Sequence, residues 1–190
     1  MRIGLFLSES GGLQQVVQTA VDAEKDGFDG AWYSQIFGAD ALTVIALAGR
    51  ETERIEMGTS VVPIHPRHPF AFAQQVATVQ AATNGRFSVG IGLSHQPVVE
   101  GMWGLSYDKP ARYMREYLQV LLPLLNEGRV SFSGEVFRVN ANLQRPSDAS
   151  GKVLIAALSP VMLRICGELT DGTITWMTAA KTIAATRSRA

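Results

Sequence analysis

A chain of 190 residues with 46% hydrophobic and 18% charged side chains can bury one substantial core, which excludes a disordered polypeptide and leaves little room for two domains. Seventeen basic and seventeen acidic residues cancel, so no electrostatic footprint points to nucleic acid or an anionic membrane, and a small-molecule partner is expected. The lone cysteine, Cys166, excludes an internal disulfide framework; with no long apolar span and no leader-like start, a cytoplasmic setting is expected.

Arg2 to Leu7 reads as a buried strand, Ser8 to Gly12 as a polar turn, and Leu13 to Lys25 as a helix whose apolar face runs through Val16, Val17 and Ala20. Gly27 suits the left-handed position that closes such a helix. A second strand follows at Phe28 to Ser34, and Asp40 is placed to cap a helix running to Arg50. The third strand, Ile55 to Val62, opens the stretch around which the chain is organised, Ile55 to Pro66, which turns small through Gly58, Thr59 and Ser60.

The third helix spans His68 to Ala82, with Pro69 in its first turn and Asn84 and Gly85 at its end. Phe87 to Gly92 is the fourth strand and Pro110 to Glu127 the fourth helix. The connection between them, Leu93 to Lys109, is long enough to carry function. Val130 to Phe132 and Glu135 to Val139 predict a β-hairpin turning at Ser133 and Gly134. Val153 to Ala157, Pro160 to Leu169 and Thr173 to Met177 complete a further strand, helix and strand, and Lys181 to Ala190 reads as the start of another helix.

Strand and helix thus alternate about six times at roughly 30 residues per unit, the spacing of parallel βαβ crossovers. An open doubly wound sheet and a (β/α) barrel both satisfy this order. The first turn, SESGGL, lacks the GxGxxG of a dinucleotide-binding sheet. Small residues at the exits of the third, fourth and fifth strands, among them Gly58, Gly92 and Ala157, favour a barrel with its site at the carboxyl ends. A flat ligand is expected to lie in the slot that these slender exits leave open, although Gly90 and Gly92 also fit a purely packing role.

Four segments carry a family resemblance: GFDGAW, MGTSVVPI, HPFAFAQQVATVQAATNGRFSVGIG and VLIAALSPVMLRICGELTDGTITWM. Together, in that order, they resemble the bacterial luciferase-like family of flavin- and deazaflavin-dependent enzymes over essentially the whole chain. QIFGADALT and YMREYLQVLLPLL are more similar to the branch using coenzyme F-420 than to the flavin mononucleotide (FMN) branch. The resemblance implies an α/β fold of (β/α)8 TIM-barrel type, and an oxidoreductase exchanging a hydride between F-420, or alternatively FMN, and a small organic substrate. With FMN the implied chemistry becomes monooxygenation.

The same resemblance implies a non-prolyl cis peptide between Ser60 and Val61 behind the cofactor ring. It assigns ring contacts to Gly92, Leu93 and Ser94, and a phosphate seat to Ala157, Leu158, Ser159 and Pro160 at the start of a helix. Ser159 and Pro160 also suit plain helix capping. His95 occupies a position where a deazaflavin relative carries a proton donor, making it the candidate acid or base. Where several relatives carry an Asp-His pair, this chain has Gln35 and Ile36; Gln35 remains able to hydrogen-bond the ring, but Ile36 cannot move a proton.

His65 and His68, among prolines, are open to a solvated loop role or to catalysis, and Trp103 and Tyr107 to forming a substrate wall or packing the long loop down. Cys166 reads as a core thiol, and no metal-ligand spacing or GxSxG turn occurs. A full barrel takes about 250 residues, so a seventh and an eighth strand are not expected here. A single, incomplete barrel domain follows: a fragment or truncated product, a chain that dimerises to cover the gap, or an inactive, vestigial flavin-binding module; the resemblance implies a homodimer, since family members commonly pair through barrel helices.

Overall fold

The structure is a computed structural model describing residues 2–8, 11–146 and 151–179. Its strands and helices follow the alternation closely. β1 (Gly4–Leu7), α1 (Leu13–Lys25), β2 (Gly30–Tyr33) and α2 (Ala41–Arg50) lead into β3 (Glu56–Thr59) and β4 (Val62–Pro63). α3 (Pro69–Ala82), β5 (Phe87–Gly92), the short α4 (Gln96–Gly101) and α5 (Pro110–Glu127) come next. A hairpin of β6 (Arg129–Ser133) and β7 (Arg138–Asn142) precedes β8 (Val153–Ala156), α6 (Pro160–Leu169) and β9 (Gly172–Ile174). The helix expected from Lys181 lies outside the described residues, as do two residues of the turn expected at Ser8 to Gly12.

The main sheet is wholly parallel, in the order β1-β2-β3-β5-β8-β9, with β4 also paired to β5. It curls into part of a barrel, as the two edges show: Phe6 on β1 and Trp176 just past β9 bring their ring centroids to 6.2 Å. Alternation along the strands divides their side chains. Ala31, Tyr33, Met57, Val89, Ile91 and Ile155 point outward into the helical layer and are almost completely buried. The concave face carries glycines together with Phe6, Trp32 and Ala156, and Phe6 is 55% exposed.

Helix ends form as their sequences dictate. Asp40 accepts from the Thr43 amide at 2.9 Å, and Ser159 from the Met162 amide at 3.4 Å. Gly27 adopts φ +86°, the left-handed conformation that a side chain would resist.

Two expected elements are corrected. The third strand does not run unbroken from Ile55 to Val62: the peptide bond from Ser60 to Val61 is cis, and the strand divides there into β3 and β4. At the break, the Thr59 hydroxyl donates to the Gly90 carbonyl and accepts from the Gly90 amide, both at 2.8 Å, replacing the backbone ladder between β3 and β5. The hairpin also turns later than expected, over Gly134 to Phe137. The buried Glu116 carboxylate draws the amides of Glu135, Val136 and Phe137 to itself at 2.8–3.1 Å, which removes them from strand pairing. A Cβ on Gly134 would collide with that carboxylate.

Candidate functional site

The exits of β3, β5 and β8 are neighbours in the sheet, as a common site requires. Their glycines, however, do not leave an open slot. A Cβ on Gly58 would strike the Trp32 ring, one on Gly90 the Thr59 carbonyl and Ile174, and one on Gly92 would lie 2.8 Å from Val61 Cγ2. Their smallness serves close packing within the concave face. The open space lies one level higher, beyond the break in the strand.

There, a cavity of about 350 Å³ is lined by Ser34, Gln35, Ser60, Val61, Ser94 and His95, with Phe6, Ile36, Phe37, Pro63, Val98, Trp103 and Trp176 as its apolar walls. Five of the expected site residues therefore meet: Gln35 from the exit of β2, Ser60 and Val61 between β3 and β4, and Ser94 and His95 after β5. The Gln35 Oε1 accepts from the Ala41 amide at 3.1 Å, which fixes the side chain at the cavity wall. His95 starts α4 with its backbone, accepting from the Val98 and Val99 amides at 2.9 and 3.0 Å, while its exposed side chain makes no capping bond.

The remaining expected residues lie off this cavity. Gly92 is buried and its carbonyl accepts from the Ile64 amide at 3.0 Å; Leu93 packs against the core. Ala157 is 3% exposed within the core, whereas Leu158 points outward at 65%, and Ser159 and Pro160 begin α6. Strand pairing and core packing thus engage the Gly92 carbonyl and the Leu93 side chain.

Loop 93–109 is fastened down rather than loose. Ser94 has φ +62°, and its carbonyl accepts from the Tyr107 hydroxyl at 3.2 Å. Tyr107 stacks on His65 at 5.4 Å, and Tyr113 covers the other part of that ring at 4.4 Å. His65 is thus not the solvated loop residue that its prolines imply. Burial lowers its pKa; the Leu93 backbone opposes this only in part, and neither ring nitrogen meets a partner at hydrogen-bond geometry. The neutral ring is the form the fold holds. His68 instead caps α3, its Nδ1 accepting from the Phe70 amide at 3.2 Å.

Sequence reasoning missed Phe6 and Trp176, which reach the cavity only because the sheet curls, and the short helix α4 inside the long loop. It also missed an ion pair: Arg67 binds Asp40 and reaches the Pro63 carbonyl beside an adjoining compartment of about 480 Å³. Cys166 is a buried free thiol, as its apolar helix predicts. Among the described residues no cluster of His, Cys, Asp or Glu is arranged to hold a metal ion, and no helix is long and apolar enough to cross a membrane.

A planar heteroaromatic ring suits this setting. Val61, Pro63 and the two tryptophans supply apolar surface, and Gln35, Ser60, Ser94 and His95 supply polar groups at its margin.

The model of the luciferase-like monooxygenase family matches residues 1–190, and the chain belongs to that family. An F420-dependent glucose-6-phosphate dehydrogenase of Nocardia farcinica is 32% identical over 183 residues, covering 88% of this chain and 54% of the relative. A 5,10-methylenetetrahydromethanopterin reductase of Archaeoglobus fulgidus is 29% identical over 156 residues, covering 80% and 46%. The chain therefore spans about half the length of the curated relatives it matches. Among solved structures, the coenzyme F420-dependent tetrahydromethanopterin reductase of Methanopyrus kandleri superposes with a TM-score of 0.86 at 22% identity, over 99% of this chain and 59% of that one. It shows the luciferase-like (β/α) barrel, of which the curled sheet here is an incomplete version.

Proposed function

We propose that the chain binds coenzyme F-420 in the cavity above the break between β3 and β4 and supports hydride exchange with a small organic substrate. One observation carries this reading: Gln35, Ser60, Val61, Ser94 and His95 converge from three strand exits on a single cavity. The deazaflavin named for the relatives favours F-420 over FMN. When bound, it supplies or accepts the hydride.

The protein's own part is placement and proton transfer. Gln35 and the serines orient the ring's polar edge, and the apolar walls exclude water from the reacting face. Reducing a carbonyl needs a hydride at carbon and a proton at oxygen. A ring nitrogen of His95 gives that proton, or takes it in the reverse direction, and exchanges it with solvent through its exposed side. To the start of α6 we assign the cofactor's phosphate, since helix-opening amides and the helix dipole favour an anion.

The test is turnover with each cofactor. Supplied with oxidised F-420 and a panel of alcohols, the protein should bleach the cofactor's visible absorbance. Supplied with reduced FMN and oxygen, it should not hydroxylate the same panel. The reverse pattern would favour the monooxygenase reading, and binding without turnover of either would favour a non-catalytic module.

A further inference from the structure

Resting on the hydride-transfer reading, we infer that the substrate is an uncharged, largely apolar alcohol or carbonyl compound, selected by the wall around Trp103, rather than a phosphorylated or carboxylated one. Among the described residues lining the cavity there is no Asp, Glu, Lys or Arg, and His95 is the one titratable group. Phe37, Val98, Trp103 and Trp176 form the walls, and Phe37 is 64% exposed. Among the described residues an anion brought here would surrender its hydration without meeting a permanent counter-charge, which binding sites rarely tolerate.

The adjoining compartment strengthens this. It shares Gln35, Ile36, Phe37, Pro63 and Trp103 with the cavity and adds one cation, Arg67. That guanidinium is already engaged by the Asp40 carboxylate, and Asp40 is itself held by the Thr43 amide at 2.9 Å and the Thr43 hydroxyl at 2.8 Å. The pair is neutral, so an acidic substrate would have to displace Asp40 to use it. Trp103 lines both compartments and stands where a substrate passes from one to the other. For an alcohol, a bound oxidised deazaflavin would supply the acceptor for the hydride that leaves the carbinol carbon with its electron pair. The O–H proton passes to His95 and the C=O bond forms.

The chain's three tryptophans make this measurable without cofactor, since Trp103 and Trp176 line the cavity and Trp32 lies on the same concave face. Cyclohexanone and cyclohexanecarboxylate, of similar ring size but the first neutral and the second an anion, are titrated at neutral pH and read by tryptophan quenching. Cyclohexanone should bind about tenfold tighter or more, given the penalty on an unpaired buried charge. Trp103→Ala, read through Trp176, should weaken cyclohexanone severalfold. Asp40→Asn keeps the helix cap while freeing Arg67, and should narrow the gap by strengthening the carboxylate.

Equal binding, tighter carboxylate binding, or no saturable response to either probe in the wild type would overturn the inference. Deazaflavin binding, measured separately, judges the redox reading: its absence would sink that reading, while the probe ranking still decides the cavity's chemistry.

Discussion

The two ends of the parallel sheet are built on opposite terms. At the amino end, two half-buried charged side chains are heavily hydrogen-bonded. Glu24 accepts from the amides of Glu53, Arg54 and Ile55 at 2.6–3.1 Å, and Arg86 donates to the carbonyls of Gly49, Thr52 and Ile55 and to the Thr52 hydroxyl at 2.8–3.2 Å. At the carboxyl end, the chain holds a left-handed Ser94, a histidine without hydrogen bonds, and exposed Ile36, Phe37 and Trp176. One end fixes the fold, and the other gives up local satisfaction to expose apolar and proton-bearing groups. Substitutions at the two ends should therefore separate stability from activity.

The sharpest separation is expected at His95. His95→Gln should lower turnover about 10²- to 10⁴-fold, the usual worth of a positioned acid or base, with an unchanged unfolding midpoint. Steady-state rates beside thermal melts check it, and a fallen midpoint would point to structure instead. Arg86→Ala should do the opposite, leaving several buried oxygens without a donor and costing about 2–4 kcal/mol in urea unfolding with deazaflavin affinity retained.

Thr59→Val probes the boundary between the ends. It removes the hydroxyl that bridges β3 to Gly90 and should cost about 1–3 kcal/mol, because both Gly90 groups lose their partner. Since this bridge lies directly beneath Ser60, affinity for the cofactor should fall as well, unlike in the Arg86 variant.

Glu24 offers a pH test of the amino end. Burial pushes its pKa up, but the three backbone amides and the Arg86 charge outweigh that, and the net shift is downward. A carboxylate lowered in the fold contributes stability that is present above the ordinary glutamate range and is lost as pH falls through the folded value. Stability should thus decline on acidification below about pH 4.5, and Glu24→Gln should flatten that part of the profile, as denaturation at several pH values would reveal. The smallest effect is expected for His65→Phe. It keeps the stack between Tyr107 and Tyr113 and deletes two unpaired nitrogens, so the midpoint should stay within about 0.5 kcal/mol of wild type or rise. A large loss of activity there would mean that His65 has a chemical role.

Much of this division was visible in the residues. The apolar stripe of α5, the caps at Asp40 and Ser159, and the continuous apolar runs of β5 and β8 follow from local periodicity and turn chemistry, and the structure places them as the sequence predicts. The hairpin's late turn was hidden because its cause, Glu116, lies on a helix nearly twenty residues earlier. Alternation along a strand reveals two faces but not which one meets helices. Hence Gly58 and Gly90, which read as room for a ligand, turned out to accommodate Trp32 and Ile174. At the site, the residues beyond the strand ends, Ser60, Val61, Ser94 and His95, gather as expected. Gly92, Leu93 and Ala157, within or beside strands, enter into pairing or core packing.

The central claim is that a flat redox ring occupies the cavity above the split strand. Titrating oxidised F-420 into the purified protein, with Ser94→Trp as the filled-cavity control, tests it most directly. The account predicts saturable binding, seen as a shift in the cofactor's absorbance band, that the control abolishes while retaining the wild-type melt. Absence of saturable binding, or equal binding by the control, would contradict it.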